Sequence, residues 1–399
     1  MKGNAIVGQS GGPTAVINAS LVGLVEEALS SALVDSVYGM RYGIRGLLDG
    51  EIVDIGNVSL SRLDNIALTP GAALGSTRYK LSDDDLPAVI ERLKELSVRY
   101  FFLIGGNDTM DTIGRVESYA REAGYELRGV GIPKTVDNDL FGTDHTPGFP
   151  SAARDVALSV QQAGRLARDM QHVDQYAIYQ AIGRDAGWLA AASVLAKEDE
   201  SDAPHLVYVP EAPMSPGAFL RDVSLAVERY GFAYVVCGEG VVWEDGTPVS
   251  ASRATDTFSN VEFGAMGGAS AALNLHRLIA ENTGFRGEFQ ITESLPMCAA
   301  DRVVSLDREE ARACGREAMR LAASETSGVM VTIRRLSESS YGSALGTIDL
   351  SEVARKTHRM PPDYYNSDTK LPNDGFRRYA APLVGEIVPY ATLDEIGRA

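Results

Sequence analysis

Short apolar runs rich in β-branched residues, at 5–8, 100–104, 127–132, 176–181, 205–209, 232–237 and 329–333, alternate along the chain with amphipathic stretches of helical length at 16–30, 111–123, 151–168, 185–196, 216–230, 268–281 and 308–322. The runs have the length of strands buried on both faces, and several of the longer stretches carry Ser, Thr, Asp or Pro near their start, as helix N-termini do. Repeated alternation of this kind predicts an α/β fold with parallel-rich sheets covered by helices on both faces. Ligands of such folds sit at the carboxyl ends of the strands, where Gly-rich turns bring backbone amides to an anion. The turns after 5–8, 100–104 and 127–132 are therefore the places to look for chemistry. A segment at 243–263 mixes Gly, Pro, Ser, Thr and charge and reads as a surface excursion or hairpin. Beyond residue 335 the periodicity fades through 337–343 and 360–373, so the last stretch reads as a tail lying on the body.

Bulk properties narrow the classes. A chain of 399 residues exceeds the size at which one core keeps growing, which predicts two domains and an appended extension. With 45% hydrophobic and 23% charged residues the composition is that of a soluble globular protein, and no run approaches the roughly eighteen apolar residues of a membrane helix. The N-terminus reaches Gln9-Ser-Gly-Gly12 before a signal-peptide core can form, and Cys237, Cys298 and Cys314 lack metal-site spacing, which together predict a cytoplasmic protein. A net charge of -17 opposes nucleic-acid phosphates, so no nucleic-acid partner is expected.

Three turns carry candidate chemistry. The first, Val7-Gly-Gln-Ser-Gly-Gly-Pro-Thr14, runs into a helix whose free amides would face an anion. It also contains GxSxG at Gly8, Ser10 and Gly12, the pattern of a serine-hydrolase elbow, although none of the five histidines has an evident triad setting. Tight packing alone would also explain its glycines. The second turn, Gly105-Gly-Asn-Asp108, puts a carboxylate after two glycines at a helix start, where Asp108 is either an N-cap or a ligand for a Mg²⁺-phosphate. The third, Pro133-Lys-Thr-Val-Asp-Asn-Asp139, gathers a cation able to hold a transferring phosphoryl group and carboxylates able to take a hydroxyl proton. Lys134-Thr135 resembles the end of a Walker A loop, but Pro133 stands where its glycine must be. A solvated charged turn is the bland alternative.

As a set, these turns carry a resemblance. Gly8-Gln-Ser-Gly-Gly-Pro-Thr-Ala-Val-Ile-Asn-Ala19, Gly71-Ala-Ala-Leu-Gly-Ser-Thr-Arg78, Gly105-Gly-Asn-Asp108, Pro133-Lys-Thr-Val-Asp-Asn-Asp139, Thr146-Pro-Gly-Phe149, Gly183-Arg-Asp-Ala-Gly-Trp188 and Val209-Pro-Glu211 occur in the order found in the phosphofructokinase superfamily. They resemble its pyrophosphate-dependent branch and are specific only together. The resemblance implies two Rossmann-like three-layer domains: a donor domain at 1–148 with a return segment at about 292–335, an acceptor domain at 149–291, and a C-terminal extension at 336–399 packed on both. It implies Asp137 as the base for the sugar hydroxyl, Arg78 bridging the transferring phosphate, and Lys134 on the donor phosphates. Gly11, Gly12, Gly105, Gly106, Asn107 and Asp108 would bind the donor, with Asp108 serving Mg²⁺, and Thr135, Asp139, Ile182, Gly183, Arg184 and Glu211 the acceptor.

ATP-using members have glycine where Asp108 and Lys134 stand, and a carboxylate there obstructs the space of a nucleoside α-phosphate, so pyrophosphate is the implied donor. The implied reaction forms fructose 1,6-bisphosphate and phosphate from fructose 6-phosphate, reversibly, in a homodimer or homotetramer. Some positions depart from the family pattern. Asn107 replaces a metal-serving aspartate, Ile182 a methionine and Gln180 a glutamate. Met297 and Gln175 replace arginines that hold the 6-phosphate, a loss of several kcal/mol in acceptor affinity unless Arg286, Arg302 or another cation compensates. Two further readings follow: the same chemistry on another sugar or anionic sugar analogue, or a non-catalytic sugar-phosphate-binding paralogue. An intact Asp137 with Lys134 argues against the second.

Overall fold

The computed structural model describes residues 1–250, 270–337 and 340–391. Strands β1 (Gly3–Gln9), β2 (Val34–Met40), β3 (Ile52–Asp54), β4 (Val98–Gly105) and β5 (Arg128–Pro133) belong to one sheet. A second sheet is formed by β6 (Tyr176–Ala181), β7 (Leu206–Tyr208), β8 (Ala233–Gly238) and β9 (Gly287–Ile291), and the chain then returns to the first with β10 (Val329–Arg335) and β11 (Ser343–Asp349). The first sheet has the order β11-β10-β5-β4-β1-β2-β3, parallel except for its two edge strands, and the second is β7-β8-β6-β9, parallel throughout. The chain leaves β1 for β2 on one side and later fills β4 and β5 on the other. A crevice therefore opens at the carboxyl ends of β1 and β4, the switch point where such sheets take ligands.

Alternation along each strand feeds a core on either face, as expected of a sheet covered on both sides. In β4, Tyr100, Phe102 and Ile104 join one apolar cluster while Val98, Phe101 and Leu103 join the other. In β6, Ala177, Tyr179 and Ala181 face one layer and Tyr176 and Ile178 the opposite one. The helices Ile17–Ser30 and Ser305–Ala323 cover one face of the first sheet and touch almost backbone to backbone: a Cβ at Gly23 would lie 2.0 Å from the Arg312 carbonyl oxygen, and one at Gly315 2.0 Å from that of Ser20. The fold is thus α/β with two three-layer, parallel-rich units.

Besides the short strands Ile52–Asp54, Tyr365–Asn366 and Leu371–Pro372, three longer strands were not expected from the apolar runs. Val34-Asp-Ser-Val-Tyr-Gly-Met40 is interrupted by polar residues, Gly287-Glu-Phe-Gln-Ile291 alternates as an edge strand does, and Ser343-Ala-Leu-Gly-Thr-Ile-Asp349 hides among small residues in what read as tail. In the expected excursion, Trp243 N–H donates to Thr247 O at 2.9 Å in a tight turn, and residues 251–263 of that reading lie outside the described residues. The cysteines are free thiols, two of them buried. Among the described residues no helix is long and apolar enough to cross a membrane.

A buried charge network fastens the return strands to the loop after β5. His145, with no exposed surface, lies between Asp144 (Nδ1 to Oδ2, 2.9 Å) and Glu310 (Nε2 to Oε2, 2.8 Å). Arg335 grips Asp144 with two bonds of 2.9 and 3.1 Å, and Tyr341 and Ser343 donate to Glu310. Burial pulls the His145 pKa down, but the hydrogen bonds and charges of Asp144 and Glu310 outweigh it and raise it to about 9. Its folded pKa thus lies above the unfolded value of about 6.5, so the stabilisation is complete below about 6.5 and is lost as pH rises through about 9. The full contribution is on the order of 3 kcal/mol. In thermal melts from pH 6 to 10, wild type should exceed His145→Gln most at pH 6, with the gap narrowing above pH 7.

Candidate active site

The three turns singled out by sequence meet at the switch point. β1 ends in Ser10-Gly11-Gly12, which the neighbouring strand and loop pin through Ser10 N–H to Ile104 O and Gly11 N–H to Thr77 O, both 2.9 Å. Gly11 has φ +75°, a conformation that favours glycine. The buried amide of Gln9 donates to Asn18 Oδ1 at 2.9 Å and accepts from Leu74 N–H at 2.9 Å, while Asn18 Oδ1 also accepts from Ala73 N–H. These buried amides fix the 73–78 loop, and with it exposed Arg78, beside the glycine turn.

Lys134 follows β5 and reaches across to this turn, its Nζ donating to Gly12 O at 2.9 Å. The side chain is buried at 5% exposure, and its backbone N–H bonds Gly105 O at 3.2 Å, so one residue links all three turns. Burial lowers its pKa to about 8, against the attraction of Asp137 and Asp139 and with repulsion from Arg78. Such an ammonium is costly to keep in an apolar setting without counter-charges. Its neighbourhood invites an anion.

The helix Asn107–Glu122 opens directly after Gly105 and Gly106. Gly106, rather than Asp108, holds the N-cap position, and no side chain caps the helix, which leaves its first amides directed at the crevice. Asp108 is exposed in the first turn, where the helix dipole favours a carboxylate or a bound anion. The Asn107 Oδ1 atom is buried with no hydrogen-bond partner among the described residues. An orphaned amide oxygen beside a carboxylate is an oxygen donor set suited to a hard cation that takes its other ligands from phosphate and water. Among the described residues there is no group of three or more His, Cys, Asp or Glu side chains able to hold a metal alone.

Asp137 stands where the two sheets face each other. Its N–H donates to Thr135 Oγ1 at 3.1 Å, and the turn is closed by Thr146 Oγ1 to Thr135 O at 2.6 Å. Burial pushes its pKa up, Arg184 and Lys134 pull it back, and Asp185 adds repulsion. Asp139 is raised as well, by burial and then by the charge of Asp137. From the second sheet come Gly183, at φ +121° after β6, and the exposed Arg184; Ile182 packs against the apolar cluster beneath.

Glu239, just past β8, was missed by sequence reasoning. Burial raises its pKa to about 7, the charge of Asp137 adds to that, and it accepts from Gly183 N–H at 3.3 Å. The signal was present in Val235-Val-Cys-Gly-Glu-Gly240, a third apolar strand ending in an acidic Gly turn. Glu211 is placed differently: its carboxylate accepts from Gly187 N–H at 3.0 and 3.1 Å and from Met360 N–H at 3.0 Å, holding a loop and the C-terminal segment together.

The substituted positions also have defined places. Met297 lies on the donor turn, its methyl 2.3 Å from where a Cβ on Gly12 would be. Gln180 accepts from Ala272 N–H at 3.0 Å and so serves the fold. Gln175 bonds Arg286 N–H at 3.1 Å at the amino end of β6, the end opposite Arg184. Arg286 pairs with Asp174 at 2.9 Å, and Arg302 has a buried Nη1 without a hydrogen-bond partner among the described residues. The hydrolase alternative for Ser10 finds no support: its Oγ donates to Thr77 O at 3.4 Å, and no imidazole bonds it among the described residues.

Comparison with known proteins agrees with this geometry. The phosphofructokinase family profile matches residues 4–322. The chain is 37% identical over 396 residues, 98% of its length and 93% of the relative's, to the pyrophosphate–fructose 6-phosphate 1-phosphotransferase of Xanthomonas campestris pv. campestris (strain B100). It is 33% identical over 369 residues, 92% of its length and 93% of the relative's, to the sulfofructose kinase of Alkalicoccus urumqiensis. The crystal structure of the pyrophosphate-dependent phosphofructokinase from Nitrosospira multiformis superposes with a TM-score of 0.87 at 33% identity, covering 98% of this chain and 94% of that one.

The strand-to-helix joint at Gly105 tolerates no side chain. A Cβ there would lie 2.1 Å from Thr109 Oγ1 and 2.6 Å from Thr109 Cβ, both on a buried, β-branched residue with little room to turn. Gly105→Ala should lose about 1–3 kcal/mol in urea unfolding, whereas Gly124→Ala, where nothing lies within 4 Å of a Cβ but φ is +65°, should lose about 1 kcal/mol from backbone strain alone.

Proposed function

Because this chain belongs to the phosphofructokinase family, we propose that it moves a phosphoryl group from pyrophosphate to the 1-hydroxyl of fructose 6-phosphate, giving fructose 1,6-bisphosphate and phosphate reversibly with Mg²⁺ as cofactor. The observation that carries this reading is the buried Lys134 ammonium, bonded to the Gly12 carbonyl beside Asp137 in a crevice floored by backbone. It fits a small, densely charged donor. An exposed Asp108 at the crevice supports pyrophosphate over a nucleotide, because a carboxylate there repels and obstructs an α-phosphate.

Asp137 accepts the proton of the 1-hydroxyl as that oxygen bonds the transferring phosphorus and the bond to the leaving phosphate breaks. A pKa raised by burial makes it a better proton acceptor than a solvated carboxylate, while Arg184 and Lys134 keep it ionised enough to act. Lys134, Arg78 and the amides of Gly11, Gly12, Gly105 and Gly106 neutralise charge on the donor and transferring group. Asn107 Oδ1 and Asp108 would hold Mg²⁺, which supplies charge neutralisation of the diphosphate. On the acceptor side we assign Thr135, Asp139, Ile182, Gly183 and Arg184, with Glu239 taking a sugar hydroxyl and Glu211 supporting the loop that carries them.

We read the first sheet as the donor domain and the second as the acceptor domain, and propose a cytoplasmic homodimer or homotetramer acting in glycolysis. Gln175 and Arg286 sit at the amino end of β6 and β9, ~20 Å of strand away from Arg184.

A second reading keeps the chemistry and changes the acceptor. The resemblance implies that Met297 replaces an arginine that holds the 6-phosphate, and a relative named sulfofructose kinase shares 33% identity. A sugar whose 6-substituent carries less charge than a phosphate dianion, such as a sulfonate, fits that loss better.

Purified protein with Mg²⁺ should be offered pyrophosphate, ATP or ADP with fructose 6-phosphate or its 6-sulfonate analogue, following phosphorylated sugar. Turnover with pyrophosphate alone, reduced roughly 10²–10⁴-fold in Asp137→Ala, is expected. Preference for the sulfonate would select the second reading. Activity with ATP in place of pyrophosphate would contradict the role given to Asp108 and Lys134, and binding of sugar phosphate without turnover would identify a non-catalytic paralogue.

A further inference from the structure

The catalytic turn does not support itself. Between Asp137 and Asp139, Asn138 is fully buried at φ +57°, a backbone conformation that a non-glycine residue keeps only when its surroundings hold it there. Every group holding it comes from later in the chain or from the following loop. Asn138 Nδ2 donates to Tyr379 Oη at 2.9 Å, Oδ1 accepts from Thr146 N–H at 3.0 Å, and its carbonyl oxygen lies 3.1 Å from His358 Nδ1. His358 N–H donates to Asp139 O at 2.7 Å, and Trp188 Nε1–H donates to His358 O at 2.9 Å. Tyr379 Oη in turn donates to Asp144 O at 2.7 Å, so its hydroxyl is used in both directions. Arg335 secures the tyrosine from the other side, donating to its carbonyl at 3.0 Å and lying 4.9 Å from its ring centre.

We propose that Tyr379 is a positioning residue for Asp137: the C-terminal extension is a working part of the active site, and its tyrosine hydroxyl sets the turn on which the base is carried. This rests on the assignment of Asp137 as base. Among the described residues the extension grips the turn through His358, whose Nδ1 lies at Asn138 O and whose N–H bonds Asp139 O, and through the Tyr379 hydroxyl, which also bonds the backbone of Asp144, the partner of Arg335. Removing one hydroxyl from a buried, mutually bonded pair leaves Asn138 Nδ2 without a partner and frees the turn to shift, while the apolar contacts of the ring with Trp188 and Phe376 persist. A shift of about 1 Å in a reacting group is enough to cost on the order of 100-fold in rate.

Tyr379→Phe in the full chain separates positioning from substrate binding and from bulk stability. The expected result is kcat lowered at least ten-fold, KM for both substrates within two-fold of wild type, and faster amide hydrogen exchange confined to a peptide spanning 134–146. Unchanged kcat with unchanged exchange would overturn the proposal, as would uniform acceleration of exchange across both sheets, which marks a merely structural role. Should Tyr379→Phe fail to melt cooperatively, Asn138→Gly removes the same bond while suiting the left-handed backbone, and the same outcomes apply. If wild type turns over no substrate pair, or Asp137→Ala retains full rate, the assignment of the base fails. The exchange result in Tyr379→Phe then still decides whether the extension holds the turn.

Discussion

A single buried ammonium sets the conditions for the rest of this crevice. The Lys134 ammonium is buried and donates to Gly12 O, so its charge has to be balanced by what lies nearby. Asp137 and Asp139 supply that balance in part, and burial raises both of them in turn, which leaves a cluster whose protonation is poised and responsive to an arriving anion. The glycines of the adjoining turns answer different contacts: a Cβ at Gly11 would lie 3.1 Å from Lys134 Nζ, one at Gly12 2.3 Å from Met297 Cε, and one at Gly105 2.1 Å from Thr109 Oγ1.

Holding such a cluster requires rigidity, and the fold obtains it from the second buried charge network. His145, Asp144, Glu310 and Arg335 join the loop after β5 to the helix Ser305–Ala323 and to β10, and Tyr379 extends the network to Asn138. Asp307, one turn before Glu310 on the same helix, accepts from the backbone N–H groups of Gly148 and Ser151 and so caps the helix Phe149–Asp169, with a pKa raised by burial to about 6. The helix Ser305–Ala323, which packs on the first sheet, therefore also anchors the start of the long helix leading to the second sheet.

Much of this could be read along the chain, for definite reasons. Central strands such as Tyr100–Ile104 are buried on both faces and so appear as unbroken apolar runs, and the three turns that matter follow them directly. Edge strands are different: β9 and β11 are half solvated, and their alternation of small and polar residues resembles a loop. The approach of Glu239 to Asp137 depends on how strands of two different sheets, β5 and β8, are set against each other, which no local pattern encodes. For Glu211 the sequence offered a carboxylate after a strand, and the structure adds its bonds from the N–H groups of Gly187 and Met360, which join distant segments. The extension showed only faded periodicity, because its contribution is made by single residues, His358 and Tyr379, reaching into a turn some 220 residues earlier.

The central claim is that Lys134 is the charge that receives the donor diphosphate, and proton linkage tests it most directly. Calorimetric titration with Mg²⁺ and methylene diphosphonate at pH 8.5, in two buffers of different ionisation enthalpy, reports protons taken up on binding. With a free pKa of about 8, Lys134 is mostly neutral at that pH and should recapture its proton when the anion arrives. Wild type should take up on the order of half a proton or more per site beyond Lys134→Met. Equal uptake in the two proteins, with equal affinity, would contradict the claim and move the donor charge contact elsewhere in the crevice.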